Sequence, residues 1–213
     1  MQGTLAGPVR RFEPVLPWIL PVLVIAVWQL LGSLGILSNR VMPTPVQVAE
    51  AAVRLTLSGE LPHSLAVSTW RALAGFLIGG SIGFLFGLVN GVARLAEKLT
   101  DSSIQMIRNI PHLAMIPLVI VWFGIGDEGK IFLVALGVLF PIYLNTLHGI
   151  RSVDPGLIEM GRVYGLGRGA LYRKVILPGA LPSILVGLRY ALGIMWLTLI
   201  VAETISSKDG IGY

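Results

Sequence analysis

The chain has 213 residues, of which 54% are hydrophobic and only 13% charged, with a net charge of +5 and a mean hydropathy of +0.81. Soluble domains carry about 25% charged residues, so this chain is too apolar to wet its own surface, and its solvent is lipid. The absence of cysteine excludes disulfides, thiolate metal sites and thiol catalysis, and the basic residues, scattered between apolar runs, form no stripe for nucleic acid.

Residues 1–14 carry Arg10, Arg11 and Glu13 and precede a charge-free run of 26 residues, 14–39. A membrane helix needs roughly 20 apolar residues, which predicts a first span over 15–36. A cleaved leader has an apolar core of only about 7–15 residues, shorter than this run. Arg10-Arg11 also lacks the context of a twin-arginine address, because Glu13-Pro14 follows at once.

Residues 44–58 predict a short amphipathic helix. Thr44 caps it, Pro45 suits its first turn, and Gln47 completes a capping box. Val46, Ala49, Val53 and Leu57 fall on one face, and Ser58-Gly59 ends it.

The second span is expected over 72–93, between Arg71 and Arg94. Gly75, Gly79, Gly83, Gly87 and Gly91 recur every four residues along it. Small residues at that spacing let another backbone approach closely, which predicts helix packing within the chain. A third span is expected over 104–124, with Arg108, Asn109 and His112 near one end as anchors or as residues lining a path.

Gly124 to Lys130 satisfies G-x-G-x-x-G and nearly satisfies the phosphate-binding G-x-x-x-x-G-K-[ST], failing at Ile131. Both patterns require a preceding strand. Here an apolar span precedes, and Asp127 and Glu128 would repel phosphate, so the segment is expected to be a tight turn between membrane helices. The fourth span is expected over 131–150 and the fifth over 183–203. His148 reads as interfacial. Arg189 lies six residues past Ser183, about 9 Å along a helix, and either snorkels to the interface or lines a path. Glu203 is another intramembrane charge of the kind that faces a cavity or a partner.

Between the last two spans, residues 151–179 form a charged, glycine-punctuated insert. Asp154 is an N-cap with Pro155 at the first helical position, and Gly165 suits a left-handed C-terminal turn. A second helix is expected over 168–177, stopped by Pro178. The pair would present a partly apolar knob through Leu157, Met160, Val163 and Tyr164. With the N-terminus inside, the cytoplasmic segments 1–14, 94–103 and 151–179 hold nine basic residues. The outer segments hold five, Arg40, Arg54, Arg71, Lys130 and Lys208. That bias obeys the positive-inside rule and puts the 151–179 loop in the cytoplasm. The expected fold is therefore all-α: a single polytopic membrane helix bundle of five spans over 15–213, with a two-helix cytoplasmic loop.

Glu159, Met160 and Gly161, then Gly165, Val175, Leu177 and Pro178, stand at the spacing of the "EAA" loop of ABC-importer permeases, with Met160 and Gly161 in place of two alanines and Val175 in place of isoleucine. The likeness extends through Met42-Pro43-Thr44-Pro45, Ser68-x-x-Arg71-x-x-x-Gly75-Phe76, Ile116-Pro117-Leu118, Trp122-Phe123-Gly124-Ile125, Ala202-Glu203-x-Ile205 and Gly210-Ile211-Gly212-Tyr213. Over residues 15–213 the chain resembles the binding-protein-dependent permeases for sulfonates, taurine and nitrate. Ile104 to His112 and Met195 to Glu203 resemble the aliphatic-sulfonate branch most.

The resemblance implies a type I importer permease in a bacterial inner membrane, moving aliphatic sulfonates by alternating access. Taurine, nitrate or another small solute is the alternative cargo. The loop residues Glu159, Met160, Gly161, Tyr164, Gly165, Val175, Leu177 and Pro178 would dock on a separate ABC ATPase. Arg108, Asn109, His112, Arg189 and Glu203 are the candidates for the substrate path. The implied partners are that ATPase, a periplasmic or lipid-anchored solute-binding protein, a second permease copy and membrane lipid. ATP and Mg would be bound by the ATPase, leaving this chain without cofactor, metal site or catalytic residue. Family members continue past Gly-Ile-Gly-Tyr into another membrane helix. The chain is therefore expected to be shortened, with its transport competence in question (a non-transporting membrane protein being the alternative) and its Glu203–Tyr213 segment poorly fixed unless a second subunit covers it.

Overall fold

A computed structural model describes residues 16–38 and 41–213, and every regular element among them is helical. The expected cytoplasmic segment 1–14 and Arg40 lie outside the described residues. The chain divides into two compact units at Pro62–His63.

In the first unit, the apolar helix α1 (Leu16–Ser33) is followed by α2 (Pro45–Leu57). Thr44 and Gln47 form the expected capping box: the Thr44 hydroxyl accepts from the Gln47 amide, and the Gln47 side chain accepts from the Thr44 amide at 2.9 Å. Gln29 of α1 accepts from the Val46 amide at 3.2 Å, occupying a donor left free in the first turn of α2. Gly32 makes the meeting of α1 with Thr44 close, because a Cβ there would stand 2.5 Å from Thr44 Cγ2.

The second unit contains most of α3 (Glu60–Val92), then α4 (Arg94–Arg108), a 3₁₀ turn (His112–Met115), α5 (Ile116–Phe123), α6 (Asp127–Arg151), α7 (Pro155–Val163), α8 (Arg168–Leu171), a π-helical turn (Tyr172–Ile176) and α9 (Leu177–Ser206). Its core lies where α3, α6 and α9 meet. Ala72, Val134, Val138, Ile142, Ala191, Met195 and Leu199 are buried together, flanked by Phe76, Phe84, Leu188 and Trp196. The glycine stripe of α3 makes the close approach possible. A Cβ at Gly75 would lie 2.6 Å from Val134 Cγ1, and side chains at Gly79 and Gly83 would run into the carbonyl groups of Ala135 and Leu139. The stripe thus packs within the chain, as its spacing predicts.

Four helical segments are long and apolar enough to cross a membrane: α1, α3, α6 and the continuous run Arg168–Ser206. The third expected span is different. It breaks between α4 and α5, which meet at 71°. Pro111 denies Ile110 the helical conformation, and Asn109 closes α4. At 1.5 Å per residue the eight residues of α5 reach only about 12 Å, too short to span alone.

Two other expectations are corrected. Pro178 does not stop a helix; it occupies the first turn of α9, where its missing N–H costs least. The π turn just before it absorbs the ring that would otherwise clash with a carbonyl one turn back, and the helix runs unbroken for 39 residues. Arg71 and Lys130, assigned above to solvated outer segments, are buried in α3 and α6. The helix α3 begins twelve residues before the expected span, and carboxylates neutralise both cations.

Candidate functional site

The loop between α6 and α9 is built by capping. Asp154 Oδ1 accepts from the Gly156 amide at 2.8 Å, and Pro155 opens α7. At its other end Gly165 takes φ +78. Its amide donates to the Arg162 carbonyl at 2.9 Å while the Leu166 amide donates to the Gly161 carbonyl at 3.0 Å. This pair of bonds is a Schellman motif, which satisfies two orphan carbonyls and turns the chain sharply into α8. Leu166 and Leu171 close over Gly161, where a Cβ would be 3.3 Å and 2.6 Å from their methyls. Gly161 is buried because there is no room for more.

Glu159 is exposed on α7. Leu157, Met160, Val163 and Tyr164 are all exposed, Val163 at 86% and Tyr164 at 80%. Pro178 is exposed, and Val175 and Leu177 are half-buried beside the turn. The loop therefore offers an apolar face on a rigidly capped support.

At this same end, Arg151 of α6 pairs with Glu97 of α4 and donates to the Asn90 carbonyl at 3.3 Å. The Asn90 amide donates to Thr100 at 2.8 Å and to the Tyr143 hydroxyl at 3.0 Å. These bonds join the last turns of α3 and α6 to α4.

The candidate path residues are dispersed. Arg108 and Asn109 are exposed at the break after α4. His112 is half-buried, its Nε2 3.0 Å from Thr198 Oγ1, and it lies against Gly137. Arg189 is exposed on α9 beside Tyr190. Glu203 is wholly buried.

Glu203 belongs to a network at the end of the bundle opposite the loop. Arg71 donates to Glu203 Oε1 at 2.9 Å, to Asp127 Oδ1 at 2.8 Å and to Asp209 Oδ1 at 2.6 Å. Lys130 stands 3.8 Å from Asp127. The Ser68 hydroxyl meets the Glu203 carboxylate at 2.8 Å and accepts from the Ile211 amide at 2.9 Å. The Gly212 amide donates to Glu203 Oε2 at 3.1 Å. The Arg71 guanidinium holds the Asp209 carboxyl below its ordinary range.

The Glu203–Tyr213 segment is thus pinned within this chain, contrary to the expectation that it would need a second subunit. Its backbone amides find partners in Ser68 and Glu203, and Thr204 donates to the Gly212 carbonyl at 3.0 Å. The sequence reading missed this network as a unit. The signal was present in the fragments Ser68-x-x-Arg71, Glu203 and Gly210-Ile211-Gly212, but only the fold brings them together.

These features define a helical protein with several segments long and apolar enough to cross a membrane and a capped loop between two of them. Residues 79–213 match the model of the family described as the binding-protein-dependent transport system inner membrane component, and the chain belongs to that family. It is 61% identical, over 98% of its length and 80% of the relative's, to an aliphatic sulfonates transport permease protein, SsuC, of Escherichia coli K12. It is 48% identical to the SsuC of Bacillus subtilis 168, over 96% of this chain and 74% of that one. A solved structure of an amino acid ABC transporter with histidines shares the fold, with a TM-score of 0.57 and 21% identity over 71% of this chain and 74% of that chain.

Proposed function

We propose that the chain is the membrane subunit of an ATP-driven importer for aliphatic sulfonates. An external solute-binding protein delivers the substrate, and a second copy of the permease completes the path. A separate ATPase binds ATP and Mg and supplies the chemistry, so the chain itself is a transport component and no enzyme. The N-terminus and the 151–179 loop face the cytoplasm, a reading supported by the positive-inside bias. The 61% identity to an aliphatic sulfonates permease supports the choice of cargo.

The observation that carries the coupling role is the geometry of α7 and its glycine turn. Glu159, Met160, Gly161, Tyr164 and Gly165, with Val175, Leu177 and Pro178, form a capped projection between α6 and α9 that exposes the apolar side chains of Leu157, Met160, Val163 and Tyr164 beside the charged Glu159. An apolar knob on a rigid support docks into a partner's groove and transmits that partner's movement as a rigid body. Closure of the ATPase would thereby tilt α6 and α9 and alternate access to the path.

The test is co-purification of the ABC ATPase that recognises this permease, followed by hydrolysis measurements in lipid. The proposal expects the permease to raise ATP hydrolysis, with a further rise when loaded binding protein is added. An ATPase that neither binds the permease nor changes its rate in its presence would overturn the reading.

A further inference from the structure

The contacts between α6 and α9 fix the depth of Arg189. Gly149 abuts Ala180, Gly187 abuts Pro141 and Asn145, and Gly137 abuts Thr198. Arg189 lies between Gly187 and Thr198, so it stands level with the stretch from Pro141 to Gly137, the middle of α6. Pro141 is ten residues from Arg151 at the loop end of α6, which leaves the Arg189 backbone about 15 Å from that end at 1.5 Å per residue. Snorkelling to an interface, one of the two roles open from the sequence, does not fit that depth.

The direction is equally constrained. Gly187 faces α6, and two residues further is a turn of about 200° at 3.6 residues per turn. Arg189 therefore points away from α6. Its face continues through Val186, Tyr190 and Gly193, which line one groove with it. Tyr190 is exposed, and nothing lies within 4 Å of where a Gly193 side chain would be. Among the described residues, the other basic side chains of α3, α6 and α9, namely Arg71, Lys130 and Arg151, each stand against a carboxylate, and Arg189 stands against none. A charge at this depth faces a water-filled cavity or a partner of opposite sign.

We propose that Arg189 and Tyr190 form an oxyanion-recognition site on the path-lining face of α9, taking the anionic head of the transported solute. The inference rests on the importer reading above. A planar guanidinium presents paired donors to a tetrahedral or planar oxyanion, and the neighbouring phenol adds a third. Gly193 leaves the space one turn away for the solute's body.

The chain has no cysteine, so single-cysteine probing is clean. In the assembled complex, Val186→Cys or Gly193→Cys would be reacted with a sulfonatoethyl methanethiosulfonate and with its trimethylammonium counterpart. The site predicts that the anionic reagent reacts faster and that an alkanesulfonate slows it. Arg189→Gln should lower the anion-to-cation rate ratio roughly tenfold, the scale on which a charged cleft concentrates its ligand, and Arg189→Lys should restore most of it. Absence of reaction in an assembled complex would place this face in lipid and overturn the proposal, as would an unchanged ratio in Arg189→Gln. If that variant fails to assemble, protection measured with Arg189 retained decides the matter. Protection by nitrate but by no alkanesulfonate would support the anion site while overturning the sulfonate reading on which the cargo rests.

Discussion

Arg71 and Glu203, 132 positions apart in the chain, meet at 2.9 Å with the arginine side chain 3% exposed and the carboxylate fully buried. The ion pair ties α3 to α9, and through Asp127 and Asp209 the same guanidinium reaches α6 and the segment after α9. Ser68 and the amide of Gly212 saturate the carboxylate, so the pair is satisfied as well as neutralised.

Breaking this pair from one side should be costly. Removing one partner of a buried ion pair costs roughly 3–5 kcal/mol, because the survivor keeps its desolvation penalty. Arg71→Ala and Glu203→Ala should each lower the thermal midpoint of the purified protein markedly, and the double substitution should cost less than the sum. Additive losses in a double-mutant cycle would show that the two residues do not act as a pair.

The packing of α3 on α6 makes a sharper contrast. Gly79→Ala places a methyl into the Ala135 carbonyl, and forced overpacking costs roughly 1–3 kcal/mol. Gly169→Ala, in α8 with nothing within 4 Å, should be neutral or stabilise by up to about 1 kcal/mol, since alanine favours helix. Thermal unfolding of both variants in the same detergent checks the difference. Equal midpoints would contradict the close approach.

Gly165→Val should act on coupling. At φ +78 a β-branched residue is strained, and nothing near the site relieves or aggravates that strain. Membrane insertion and yield should persist while permease-stimulated ATP hydrolysis and solute uptake fall several-fold. Normal stimulation in that variant would remove Gly165 from the coupling loop.

Gly210 presses on the Glu203 carboxylate, where a Cβ would lie 2.5 Å from Oε1, and its φ is +108. Gly210→Ala should therefore release the Ser207–Tyr213 segment from Ser68 and Glu203. Limited proteolysis should cut near Lys208 at least several-fold faster in the variant. Unchanged cleavage would mean that the segment is held by something else.

Much of this architecture was legible in the sequence because its signals are local. The α2 capping box, the α7 cap at Asp154 and the left-handed turn at Gly165 each depend on residues a few positions apart. The glycine stripe announced a packing face by its period alone. What was not legible depends on tertiary compensation. Arg71 and Lys130 read as solvated charges because nothing nearby in sequence shows that Asp127, Glu203 and Asp209 neutralise them. Pro178 read as a stop because a π turn one step earlier has no compositional signature. The break at Pro111 was hidden in an apolar run whose overall hydropathy suits a span, and the depth of Arg189 became fixed only through the register of α9 on α6.

The central claim is best tested by ATP-dependent solute accumulation in proteoliposomes containing the permease, its ATPase and its binding protein. Labelled alkanesulfonate, taurine and nitrate would be offered separately. The account predicts accumulation of the alkanesulfonate that requires ATP and the binding protein and collapses with Gly165→Val. Accumulation of nitrate or taurine without any alkanesulfonate would contradict the assigned cargo, and no ATP-dependent accumulation of any of the three would contradict the importer itself.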